Sequence, residues 1–395
     1  MSKSWLTRLI HSNTRVPEGY RSLATPTYRG STTLFASASA VTDRWDQERA
    51  GYTYGLYGTP TALELAGRIC ELENGRYTLL TPGGQAAISL IDFALLRAGD
   101  HILVPQSVYR PNRQLTTALL ARFGVAATFY DPLAGAEIAE QITDQTKLIW
   151  AESPGSVTME VQDVPAIAAA AHARGVPVVL DNTWSAGIFF DAFAHGVDIT
   201  MQAITKYIGG HSDLLLGSIT VRDEALYERI GAARQVIGCP ASPDDCSLAL
   251  RGLQTLGVRL AAIEESALEV ARWLAGRPEV DLVLHPALPS CPGHEFWQRD
   301  FTGSSGVFSV VFKPGPTREQ VFAFVDALEL FEIGYSWAGT TSLAVAYTIS
   351  ASHGRPSYDH RLVRFSIGLE AAGDLIADLE RSLPALRGKG PNAEV

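Results

Sequence analysis

Cysteine is scarce in this sequence: Cys70, Cys239, Cys246 and Cys291 are the only four in 395 residues, and no two form a CxxC pair. Spacing that wide argues against a disulfide framework or a zinc-binding module and fits reduced thiols in a reducing compartment. Long apolar runs are also missing. No stretch approaches the roughly 18 apolar residues that span a bilayer. The opening MSKSWLTRLIHSNTR lacks a signal-peptide core and a small-residue cleavage site, so a cytoplasmic location is expected. Positive charge is in deficit, with 32 Lys and Arg against 42 Asp and Glu for a net charge of −10. That balance excludes the basic footprint of a nucleic-acid binder. Neither internal repeats nor low-complexity tracts occur.

What the chain does have is apolar content, 46% hydrophobic residues against 19% charged, enough for a large core and for two domains. From about residue 60, helix-like and strand-like segments alternate, the pattern of a mainly parallel sheet covered by helices. Residues 61–74 have helical spacing and stop at Gly75; residues 85–98 do so at Gly99. HILVP (101–105), KLIWAE (147–152) and VPVVLD (176–181) are too short for helices and read as buried strands. Between the last two, Asp163 is placed to cap a helix that Gly175 ends. After about residue 250 a long helical stretch leads into strands at 281–285 and 308–313, a smaller α+β domain. The expected division is an arm at 1–59 contacting a neighbouring subunit, a large domain at 60–250 and a small one at 251–395. The final GKGPNAEV reads as a frayed tail.

In an open parallel sheet the ligand crevice lies at the carboxyl ends of the strands. Three candidates fall there. In LTPGGQAAISL, Gly83 and Gly84 stand between a strand (TLL, 78–80) and a helix start, where free N–H groups and the helix dipole can hold a phosphate. Asp181 ends VVLD. Lys206 ends the apolar run of MQAITKYIGGHSD, with Thr205 beside it. Singly, each also reads as a turn, a cap and a solvated loop residue. Together they meet the needs of pyridoxal 5'-phosphate: an amine for the aldehyde, a carboxylate for the ring nitrogen and an anion cup. The amine must be neutral to attack, which requires a lowered pKa.

The stretches YGLYGTPT, SVYRPNR, ESPGSVTMEVQDVPAI, LDNTWSAG, QAITKYIGGHSDLLLGS, LRGLQTLGVRL, YSWAG and IGLE, spread over nearly the whole chain, resemble the Cys/Met-metabolism group of fold-type I pyridoxal phosphate enzymes. Within it they are most similar to the bacterial cystathionine β-lyases. The resemblance implies a mainly parallel seven-stranded sheet with helices on both faces, plus the smaller C-terminal α+β domain. It implies that Lys206 bonds the cofactor's aldehyde and later moves protons, and that Asp181 pairs with the ring nitrogen. Gly84, Gln85 and Thr205 would hold the phosphate, joined by Tyr54 from a neighbouring subunit. Tyr109 would stack on the ring and assist proton transfer. Arg364 would clamp the substrate carboxylate, helped by Ser336. A homotetramer, arranged as a dimer of dimers, is expected.

The sequence departs from that family's pattern at several places. Leu56 stands where an arginine is usual, and Gln85 where a smaller or apolar residue is common. SWAGTTSL replaces SWGGYESL at Ala338, Thr340 and Thr341. Arg110 and Arg113 flank Asn112 beyond Tyr109, which makes Arg110 a further substrate-binding candidate. The leading expectation is a carbon-sulfur lyase acting by α,β-elimination on a cystathionine-like amino acid. The alternative is γ-elimination or γ-replacement from an activated homoserine or S-adenosylmethionine with an anionic co-substrate. A non-catalytic cofactor-binding regulator is a third reading, for which no segment offers an added effector module. His294 and Glu295 in GHEFW lack the second histidine of a zinc-protease motif and read as structural. His211 and Asp213 read as loop-shaping, and Trp150 and Trp184 as core or pocket wall.

Overall fold

The computed structural model describes residues 4–10, 22–351 and 356–388. Part of the expected arm (1–3 and 11–21) and the tail beyond Gly388 lie outside the described residues.

Alternation along the central strands sorts their apolar side chains onto two faces. The strands are β1 (Tyr77–Thr81), β2 (His101–Pro105), β3 (Ala126–Tyr130), β4 (Thr146–Glu152), β5 (Val178–Asp181), β6 (Ile199–Gln202) and β7 (Gly217–Val221). Leu103, Ile149, Ala151, Val178 and Leu180 enter one core, shared with Leu65 and Ile69 of the Pro60–Leu72 helix and Ile167 of the Val164–His172 helix. Ile102, Val104, Leu148, Trp150 and Val179 enter the other, with Ile88 and Ile91 of the Gly84–Leu95 helix and Ile230 of the Glu224–Ile237 helix. Burial on both faces is why these strands read as unbroken apolar runs. The order is β1-β7-β6-β5-β4-β2-β3. β2 through β6 pair in parallel, and only β7 runs against its neighbours β1 and β6.

Some boundaries differ from the sequence reading for local reasons. The first helix ends at Leu72, and Asn74, with φ of 55°, takes the left-handed position expected of Gly75. The second ends at Leu95, with Leu96 extended, and Gly99 (φ 91°) makes the turn afterwards. β5 starts at Val178 because Pro177 has no N–H to give; its carbonyl accepts from Ile149 N at 3.1 Å. Asp163 caps its helix as read, accepting from Ala166 N.

The second sheet is antiparallel: β8 (Val280–Leu284), β9 (Val307–Phe312), β10 (Leu343–Ile349) and β11 (Asp359–Ser366), in the order β10-β11-β9-β8. It has its own core, in which Phe308, Val310, Val363 and Phe365 meet Val270 and Leu274. Those last two belong to a continuous helix, Pro243–Ala275, whose earlier residues Leu253 and Leu256 pack in the first core. Residue 250 therefore lies inside a helix that both cores share.

Candidate active site

The loops that follow β1, β2, β4, β5 and β6 leave the same side of the sheet and surround a cavity of about 450 Å³. Gly83, Gly84, Gln85, Tyr109, Asp181, Thr205, Lys206 and Arg364 all line it, with Trp184 and Trp337 as walls. The first seven come from the large sheet and Arg364 from β11 of the small one, so the site forms where the two sheets meet.

β6 stops at Gln202, two residues before the apolar run ends at Ile204. The chain then turns, with Lys206 N donating to Ala203 O at 2.9 Å and Gly210 N to Lys206 O at 2.7 Å. The glycines are needed because the long helix presses on this turn. A Cβ on Gly210, already at φ +72°, would lie 2.0 Å from Arg259 Nη1, and one on Gly252 would lie 2.2 Å from Ile208 O. Buried Arg259 donates to Tyr207 O at 2.8 Å and to Gly252 O at 2.8 Å. LRGLQTLGVRL thus holds the backbone that presents Lys206.

The Lys206 amine donates to Ser336 Oγ at 2.7 Å and lies 5.3 Å from the Trp337 ring centre. Burial and, after it, the Arg364 charge lower its pKa, with Asp181 opposing both, so that it falls from 10.5 to about 8. At pH 7.5 roughly a quarter of such amines are neutral, against about 0.1% for an ordinary lysine. We therefore expect the rate of pyridoxal phosphate capture by the cofactor-free protein to rise with pH up to about 8 and then level off. A stopped-flow absorbance series checks this, and a rise continuing to pH 10 would contradict it. The same shift makes the unfolded chain the better proton binder between about 8 and 10.5. This lysine's cost to stability is accordingly full below pH 8 and fades as pH rises through that window.

Asp181 sits at the end of β5 opposite Glu152 of β4. Its Oδ1 accepts from Thr183 Oγ1 at 2.5 Å and Thr183 N at 3.1 Å. Burial raises its pKa, and those two bonds and the Lys206 charge counter the rise. Tyr109 N donates to Glu152 Oε2 at 2.6 Å, which sets the ring at the cavity mouth. Gly84 packs where a Cβ would be 2.8 Å from Ala203 Cβ, so the helix start lies tight against the lysine turn, and its first residues Gly84, Gln85 and Ala86 line the cavity, where the N–H groups of a helix start can meet an anion. Thr205 Oγ1 donates to Leu216 O and accepts from Leu216 N, both at 3.1 Å, so its proton is already engaged.

Of the departures from the family pattern, Gln85 alone lines the cavity. Ala338 is buried at φ +69°, a conformation glycine adopts without strain, so its methyl costs on the order of 1 kcal/mol, and the residue does not itself line the cavity. Thr340 and Thr341 are exposed. Arg113 donates to Gln106 O and Oε1 and lies over the Phe129 ring, while Arg110 is exposed outside the cavity lining. Tyr54 is also outside it and 44% exposed. His294 bonds Pro286 O and stacks on Trp297; His211 bonds Gly209 O. Trp150 is core, donating to Asp92, and Trp184 is pocket wall. Sequence reasoning missed Thr183, Trp337 and Arg259. For Arg259 a signal existed, a buried-face arginine in a quoted motif.

The residues present fit pyridoxal phosphate. Gln85 Oε1 and Arg364 Nε are buried without partners on the cavity, and buried polar atoms left this way call for a polar occupant. An amine with a lowered pKa, a buried carboxylate and an open helix start face the same space. Fold and site together define the class of pyridoxal phosphate enzymes built from a large and a small domain. Which members they are becomes clear from comparison: residues 6–384 match the family described as Cys/Met metabolism PLP-dependent enzyme, and the chain belongs to that family. It is 43% identical to the cystathionine beta-lyase MetC of Escherichia coli over 335 residues, covering 83% of this chain and 84% of that protein. It is 38% identical to the cystathionine beta-lyase of Haemophilus influenzae, covering 95% and 96%. Among solved structures, cystathionine gamma-lyase from Lactobacillus plantarum complexed with L-serine superposes with a TM-score of 0.88 at 28% identity, covering 98% and 100%.

Proposed function

We propose that this enzyme splits a cystathionine-like amino acid by α,β-elimination. The observation that carries the reading is the placement of the Lys206 amine and the Arg364 guanidinium on one cavity, in a chain 43% and 38% identical to two cystathionine beta-lyases. When bound, pyridoxal phosphate supplies the aldehyde and an electron sink for the carbanion at Cα. Asp181 would hold the ring nitrogen, the Gly83–Gly84 turn and Gln85 would hold the phosphate with Thr205, engaged with Leu216, shaping the cup beside them, and Tyr109 would cover the ring. Arg364 and Ser336 bind and orient the substrate carboxylate. The Lys206 Nζ takes the Cα proton. The Cβ–S bond then breaks with its electron pair leaving on sulfur; the thiolate gains a proton, and water converts the three-carbon remainder to pyruvate and ammonia.

The working form we propose is a cytoplasmic homotetramer in which the 1–59 arm lies on a neighbour. Tyr54, exposed and outside the lining of its own cavity, would then serve the adjacent one. Among the described residues no helix is long and apolar enough to cross a membrane. Incubating the holoenzyme with L-cystathionine should yield pyruvate, ammonia and homocysteine in equal amounts. Release of 2-oxobutyrate and cysteine would instead establish γ-elimination and overturn the reading.

A further inference from the structure

Arg364 is only 7% exposed, and the charge it carries faces Tyr347, Tyr109 and Tyr335 rather than a carboxylate. One end of its fork is fixed: Nη2 donates to Tyr335 O at 2.6 Å and Ser336 O at 3.2 Å. Its Nε is buried and unpaired. A planar cation tethered to the backbone at a single nitrogen can still swing about that tether unless a side chain holds it, and a fork recognises a carboxylate only in one orientation.

Tyr347 supplies the missing constraint. It lies on β10, two residues beyond Val345, the register partner of Arg364 on β11, so the two side chains are diagonal neighbours on one sheet face. The ring centre is 5.4 Å from Arg364 Cζ, and the hydroxyl faces the guanidinium. Tyr335 packs edge-on against that ring at 6.5 Å, bracing it from outside. Neither tyrosine lines the cavity.

We propose that Tyr347 is a positioning residue that fixes the guanidinium plane of Arg364 for the substrate α-carboxylate. This rests on the reading of Arg364 as the carboxylate clamp. The test is spectral titration of the holoenzyme with L-alanine and with ethylamine, which carries the same amine without the carboxylate. Tyr347→Leu is expected to weaken L-alanine binding by about tenfold while leaving ethylamine binding unchanged. With cystathionine, KM should rise by a similar factor and kcat should hold near the parent value. Tyr347→Phe, which keeps the ring, should restore most of the loss. If the leucine variant does not fold, Tyr347→Gln makes the same comparison.

Equal weakening of both ligands, or no weakening of L-alanine, would overturn the inference. Arg364→Lys separates the two claims. If it weakens L-alanine selectively while Tyr347→Leu does not, the clamp stands and the positioning role falls. Should Arg364→Lys leave the preference for L-alanine over ethylamine intact, the clamp reading itself fails.

Discussion

In the Lys206→Ala protein, turnover is expected to fall by about 10⁴-fold or more, because a positioned proton-transfer group alone contributes up to about that factor and the covalent anchor is lost with it. The visible absorbance of the holoenzyme should disappear as well. The fold should survive: the turn is held by the backbone of residue 206 and by Arg259, neither of which needs the amine. Removing a partly desolvated amine also relieves a burial cost, so thermal stability should not drop. Arginine is no substitute, since a guanidinium stays charged and cannot attack an aldehyde. Turnover within about tenfold of the parent would show that another group does the proton transfer.

For Asp181→Asn the expected loss is about 10² to 10³-fold in kcat, the scale on which one preorganised electrostatic contact acts. The amide is nearly isosteric and can keep the bond from Thr183 N, but it cannot hold a proton on a ring nitrogen by charge. A second consequence has an opposite sign. Asp181 is the group that raises the Lys206 pKa. In the asparagine variant the amine should titrate below 8, and cofactor capture should reach its plateau at a lower pH even as turnover collapses. Measuring both in one variant distinguishes a lost charge from a misfolded pocket, since misfolding would slow capture too.

The large sheet could be read from the sequence because β2 and β4 are buried on both faces, and their apolar runs allow little else. Strand ends were harder, because they depend on partners remote in sequence. The run through Ile204 looks like strand, yet β6 stops at Gln202, since Ala203 must pack beside Gly84, more than a hundred residues earlier. Asp181, Lys206 and the glycine turn were legible from strand-end logic alone. Arg364 and Ser336 were not. They come from the second sheet and its loops, and only resemblance to a family pointed to them. Tyr347 stayed hidden, because a tyrosine in LAVAYTI has the ordinary look of a strand residue until β10 and β11 are paired. The departures at Ala338, Thr340 and Thr341 stood out in sequence yet fall outside the cavity lining. Adjacency to a motif is a weaker guide than the direction in which a loop leaves its strand.

The account depends on the Lys206 amine being the group bonded to the cofactor. Borohydride reduction of the holoenzyme, followed by peptide mapping with mass spectrometry, tests that directly. It should place the reduced phosphopyridoxyl group on Lys206 in stoichiometric amount; finding position 206 unmodified with the cofactor in excess, or the label on a different lysine, would contradict it.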